Sequence, residues 1–178
     1  MNLRFVIVFC SYKPQNYFTN ELCLENFIIE TENLIARLSE TEGRAEIIHG
    51  KIIKYDLEGF QPNQAKSNIA FSLRQYQQNI KRGFVVTTLV AYIVDLPDRK
   101  SFSPNVSFHN GKRTGMKFLQ GAPIFAVEVR SENDYGNKAE KDIAQKRHDY
   151  FASGTEIVWD VDLLSEYIIN VLSPKQSE

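Results

Sequence analysis

Glu128 stands inside an otherwise apolar run, Ile124-Phe125-Ala126-Val127-Glu128-Val129-Arg130-Ser131. Runs of this kind read as strands buried on both faces. A carboxylate within one is costly unless it is paired or binds something. Alternation puts Glu128 and Arg130 on one face with Ala126, and Val127 and Val129 on the other. Upstream, Ser103-Pro104-Asn105-Val106-Ser107-Phe108 reads as a strand over 104–108 with proline at its start. Asn105 and Ser107 share a face, and if the two strands are neighbours Asn105 lies beside Glu128. An Asp–Glu pair there, with a main-chain carbonyl such as that of Val129 and waters, would be an oxygen site for Mg²⁺ or Mn²⁺. Asparagine keeps one carbonyl oxygen and loses a full negative charge, so weaker metal binding is expected. The same residues also read as an ordinary Glu128–Arg130 pair beside a strand-edge asparagine, and the segments alone leave both readings open.

A third element faces these two. Residues 137–153 read as a helix whose inward stripe is Ala139, Ile143 and Tyr150, with Lys146 on the same stripe. A lysine there either snorkels from the margin or is held toward the carboxylates, where it would neutralise charge and help orient an attacking water. Glu46 opens a hairpin and is a further candidate to line the site. Arg130, or Lys112 and Arg113 from a loop, could position a phosphate. Lys138, Lys141 and Arg147 face solvent or a phosphate backbone. His49 reads as a turn residue and His148 as a helix-flank residue. Trp159 reads as core.

The elements that must hold these groups follow from period and punctuation. Residues 20–40 read as a helix. Residues 45–55 read as a hairpin turning at His49-Gly50. Asn63 to Arg82 is amphipathic, with Ala65, Ile69, Leu73, Tyr76 and Ile80 at spacings of three and four, and Gly83 as its stop. Strand structure over about 84–95, with room for a break or bend inside it, precedes the strand at 104–108. Asn137 is expected to cap the last helix in a box with Glu140, and Gly154 to close it. Two final strands, 156–162 and 166–172, turn near Leu164-Ser165. The order predicts an α/β (α+β) fold, a mixed central sheet flanked by helices. Residues 1–20 are expected to be an extension, either a short strand or poorly ordered, and 21–178 a single domain.

Bulk properties narrow the function classes. A net charge of −1 provides no global basic field, so nucleic acid would need a local patch. Cys10 and Cys23 lack ligand-like spacing, which argues against zinc, and two cysteines make no disulfide framework, so a reducing cytoplasm is expected. The apolar run in Met1–Cys10 is too short to span a membrane and no clean cleavage site follows it.

Five segments occur in order: Ala-Glu-Ile-Ile-His-Gly-Lys-Ile-Ile from Ala45, Ser-Pro-Asn-Val-Ser-Phe from Ser103, Gly-Ala-Pro-Ile-Phe-Ala-Val-Glu-Val-Arg-Ser from Gly121, Lys-Arg-His-Asp-Tyr-Phe-Ala-Ser-Gly from Lys146, and Glu-Ile-Val-Trp-Asp-Val-Asp from Glu156. Together, over about residues 24–172, they resemble the Uma-type "putative restriction endonucleases", a bacterial family of the PD-(D/E)XK nuclease superfamily. The resemblance implies a restriction-endonuclease-like core and Mg²⁺- or Mn²⁺-dependent cleavage of DNA, with a homodimer plausible. It carries the family's proline-aspartate onto Pro104-Asn105, its metal-binding glutamate onto Glu128, the superfamily lysine position onto Arg130, the helix-borne lysine onto Lys146 four residues before Tyr150, and the hairpin glutamate onto Glu46. Asn105 departs from that pattern. The implied activity is therefore a weakened or inactive nuclease, with a non-catalytic nucleic-acid-binding or interaction module as the alternative.

Overall fold

The computed structural model describes residues 19–174, so the expected N-terminal extension lies, but for its last two residues, outside the described residues. Helix α1 (Thr19–Ser39) leads into the hairpin β1 (Ala45–Ile48) and β2 (Lys51–Lys54). His49 and Gly50 turn it, both at positive φ (48° and 68°), which suits a tight two-residue hairpin. Then follow α2 (Phe60–Ile80), β3 (Phe84–Thr87), β4 (Tyr92–Ile93), β5 (Ser101–Phe102), β6 (Val106–His109), β7 (Leu119–Gln120), β8 (Phe125–Val129), α3 (Asn137–Ala152), β9 (Ile157–Val161) and β10 (Ile169–Leu172).

The main sheet has five strands in the order β10-β9-β8-β6-β3. Only β8 and β9 run parallel, so the sheet is mixed. Parallel neighbours need a crossover, and α3 supplies it. A three-stranded sheet, β5-β4-β7, stands apart, and the hairpin joins it where the Lys100 N–H donates to the Ile47 carbonyl at 3.0 Å. The alternation expected along β8 sorts the core into two layers. Val127 and Val129 pack with Val106, Val161 and Ala70 of α2. Ala126 packs on the opposite face with Tyr150 of α3, Tyr92, Phe102 and Val158. Glu128 therefore faces α3.

Three local expectations need correction. Helix α2 begins three residues early because Pro62 is tolerated in a first turn. It ends at Lys81, which takes the left-handed conformation (φ 53°) while its N–H donates to the Gln77 carbonyl. Gly83 serves a different purpose: a Cβ there would overlap the Phe108 ring. Asn137 does not cap α3. Gly136 holds the cap position at φ 95° with no side-chain bond, and the Glu140 carboxylate turns to Arg130. The strand structure expected over about 84–95 resolves into β3 and β4, which belong to different sheets, with Leu89 at φ 77° between them.

Candidate active site

The hairpin delivers the first pair of charges. Arg44 directly precedes β1 and Glu46 lies two residues on, so alternation sends both the same way. The hairpin register sets Tyr55 against Arg44, with the Tyr55 N–H donating to the Arg44 carbonyl at 2.9 Å. The Arg44 guanidinium lies 4.4 Å from the Tyr55 ring centroid, within cation–π range. The Tyr55 hydroxyl donates to Glu46 Oε2 at 2.9 Å.

Strand β8 and the crossover helix deliver the second group. Glu128 Oε1 accepts from the Tyr150 hydroxyl at 2.6 Å and lies 2.9 Å from Lys146 Nζ. Glu128 Oε2 accepts from Arg44 Nη2 at 3.0 Å. Lys146 also reaches Glu46 Oε1 at 2.8 Å. Tyr150 is fixed by stacking on Phe102, with ring centroids 4.1 Å apart. Lys146 and Tyr150 are one helical turn apart, which is why they meet the same carboxylate. The structure thus brings Glu46, Glu128 and Lys146 together, with Glu46 fully buried (0% exposed).

These contacts extend into a chain of alternating charge. Lys66 pairs with Glu58, Glu58 lies 3.7 Å from Arg44, and Arg44 binds Glu128. Glu128 binds Lys146, Lys146 binds Glu46, Glu46 binds Arg99 at 2.6 Å, and Arg99 binds Asp149 at 2.7 Å. Cations (Lys66, Arg44, Lys146, Arg99) and carboxylates (Glu58, Glu128, Glu46, Asp149) are equal in number. Burial opposes the ionisation of Glu46, but Lys146, Arg99 and Arg44 outweigh it and hold its pKa near about 2. Burial likewise opposes the charge on Lys146, and Glu128 and Glu46 overcome it, raising the lysine's pKa. Lys146 is therefore an ammonium at neutral pH, a donor and not a proton acceptor.

Asn105 stands just before β6. Continuing the register in which Val106 faces Val127 sets it opposite Glu128. Its side chain is spent locally: Oδ1 accepts from the Val129 N–H at 2.6 Å and Nδ2 donates to Glu58 at 3.4 Å. Arg130 lines the same cavity wall but is occupied. It forks onto Asp160 at 2.9 and 2.8 Å and also pairs with Glu140. The bond to Asp160, against the cost of burial, raises its pKa. Arg147 shares Asp160 at 2.9 Å. Lys112 and Arg113 do not line the cavity, and Arg113 lies over the Phe84 ring.

Glu128, Lys146, Arg44, Glu58 and Tyr150 lie in the wall of an open cavity of about 780 Å³, whose rim includes the exposed Lys54 and Lys138. The family resemblance implies a divalent metal ion at this centre, and the donor set of this chain does not suit one. Every oxygen of Glu46, Glu58 and Glu128 already faces a cation or hydrogen-bond donor. The Asn105 oxygen is taken by Val129. Among the described residues, no group of three or more His, Cys, Asp or Glu side chains is placed to hold one ion.

Sequence reasoning missed Arg44, Tyr55, Glu58, Lys66 and Arg99. Arg44 and Tyr55 had a signal, because a turn at His49-Gly50 pairs residue 44 with 55. Glu58 and Lys66 had none: they converge only because the segment between β2 and α2 folds back over Asn105.

The fold is shared with a protein from Anabaena variabilis ATCC 29413, described as "a putative nuclease belonging to DUF820". That crystal structure aligns with a TM-score of 0.62 at 20% identity, covering 76% of this chain and 75% of the other. No curated protein matches the sequence. No helix among the described residues is long and apolar enough to cross a membrane. Residues 31–177, the part that carries both glutamates, Asn105 and the crossover helix, match the Uma2 family, whose description is "Putative restriction endonuclease", and this chain belongs to that family.

Proposed function

We propose that this chain is a DNA-directed member of a nuclease family whose Mg²⁺- or Mn²⁺-dependent cutting is weakened to the point of inactivity by Asn105. The observation that carries the reading is the meeting of Lys146, Glu128 and Tyr150 in the wall of an open cavity, with Glu46 buried behind Lys146 and Asn105 opposite Glu128. Family membership supports a phosphodiester substrate. Lys54 and Lys138 at the rim would meet the nucleic-acid backbone, contacts that position a duplex without reading its sequence. Lys146, held as an ammonium, donates toward a phosphate oxygen and fixes Glu128. Tyr150 fixes the same carboxylate from the other side. An aspartate at 105 would restore a charged oxygen next to Glu128, and asparagine withholds it. Cutting both strands takes two centres, so a homodimer belongs to the same reading.

Fluorescence anisotropy of a labelled duplex in EDTA tests the substrate. Saturable binding is expected, falling as salt rises because released counterions oppose it, and weaker in the Lys54→Ala/Lys138→Ala variant. Binding only to an RNA competitor would reject DNA as the substrate, and no binding at low salt would reject the nucleic-acid reading.

A further inference from the structure

We infer that Arg44 and Lys146 take the place of a divalent ion at Glu128, so that the wild-type centre closes on its own cations and takes up neither Mg²⁺ nor Mn²⁺. A hard cation needs several oxygen ligands and, in protein sites, carboxylates that carry uncompensated charge. Here the carboxylate oxygens are already engaged. Glu128 Oε1 receives Lys146 and the Tyr150 hydroxyl, and Oε2 receives Arg44. Glu46 Oε1 receives Lys146 and the Ser103 N–H, and Oε2 receives Arg99 and the Tyr55 hydroxyl. Glu58 receives Lys66 on one oxygen and lies near Arg44 and the Asn105 amide on the other.

The two cations at Glu128 are held from a second direction. The Tyr55 ring lies 4.4 Å from the Arg44 guanidinium and 5.3 Å from Lys146 Nζ, so one aromatic ring serves both. Both side chains are nearly buried (11% exposed each). Seating a divalent ion against Glu128 would set it beside two buried positive charges or force one of them out unpaired. With four cations against four carboxylates, the cluster lacks the negative excess that attracts such an ion. Asn105 fits this arrangement: an aspartate there would add the missing negative charge, and its carboxylate would repel Glu58.

Removing one cation creates that excess without touching a carboxylate. Mn²⁺ titration of the full chain, followed by loss of the free-ion electron paramagnetic resonance signal, tests the inference. Wild type is expected to retain no more Mn²⁺ than Glu128→Ala. Arg44→Met and Lys146→Met are expected to bind Mn²⁺ at least about tenfold more tightly than wild type, a difference of about 1.4 kcal/mol. Their melting temperatures should rise on Mn²⁺ addition while that of wild type stays put. Uptake of Mn²⁺ by wild type that Glu128→Ala abolishes would overturn the inference, and so would no gain in a folded Arg44→Met. If Lys146→Met does not fold, Arg44→Met and the wild-type titration decide alone. Duplex binding in EDTA, measured on the same wild-type sample, tests the DNA reading separately.

Discussion

Replacing Glu46 by Gln probes the buried end of the charge chain. The substitution keeps the size of the side chain and removes one negative charge from a residue with no solvent exposure. Lys146 keeps Glu128 and Arg99 keeps Asp149, so neither cation is stranded. The loss is therefore set by how strongly the fold prefers the charged form. A carboxyl held near about 2 against an ordinary 4.5 contributes about 3 kcal/mol at neutral pH. For a chain of this size that is roughly a 6–12 °C fall in melting temperature. The pKa is depressed in the folded state, so this contribution is present above about 4.5 and is lost as pH falls toward about 2. Denaturant unfolding of wild type and Glu46→Gln across pH measures it. The gap between the two proteins should be widest at neutral pH, narrow below about 4.5 and close toward about 2. A gap under about 1 kcal/mol at neutral pH, or one that persists undiminished to about pH 3, would refute the reasoning.

Tyr150→Phe keeps the stack on Phe102 and deletes the hydroxyl that donates to Glu128. Thermal melts should show a loss of about 1.5–3 kcal/mol, the range for a hydrogen bond to a charged group. Gly83→Ala places a Cβ against the Phe108 ring at φ 71°, and chemical denaturation should show a loss of at least about 1 kcal/mol. Asp160→Asn weakens the grip on Arg130 and Arg147 together. Unfolding should reveal a cost of about 3 kcal/mol, and Lys138→Ala, whose side chain stands exposed at the rim, should leave stability within about 0.5 kcal/mol of wild type.

Much of the centre was legible in the sequence because regular elements have fixed periods. Lys146 and Tyr150 are four apart on one helix, and a helix between two parallel strands must lie on the sheet, so both were bound to meet what β8 presents on that face. Glu128 was conspicuous as a charge in an apolar run, and Glu46 as the acid of a hairpin whose turn is written in His49-Gly50. The partners were less legible. Arg130 stands on the expected face, yet Asp160, opposite Glu128 across the β8–β9 ladder, captures it. Glu58 reaches Asn105 through irregular backbone between β2 and α2, for which no periodicity exists. The Asn137 capping box failed because Glu140 has a stronger partner in Arg130 than a helix-end N–H.

In the proposed function, position 105 decides whether the centre at Glu128 can cut. Supercoiled plasmid incubated with Mg²⁺ or Mn²⁺ and either wild type or Asn105→Asp measures this most directly. Asn105→Asp should cleave much faster than wild type, and Asn105→Asp/Glu128→Ala should not cleave. Equal cleavage by wild type and Asn105→Asp, or cleavage that survives the loss of Glu128, would contradict the account.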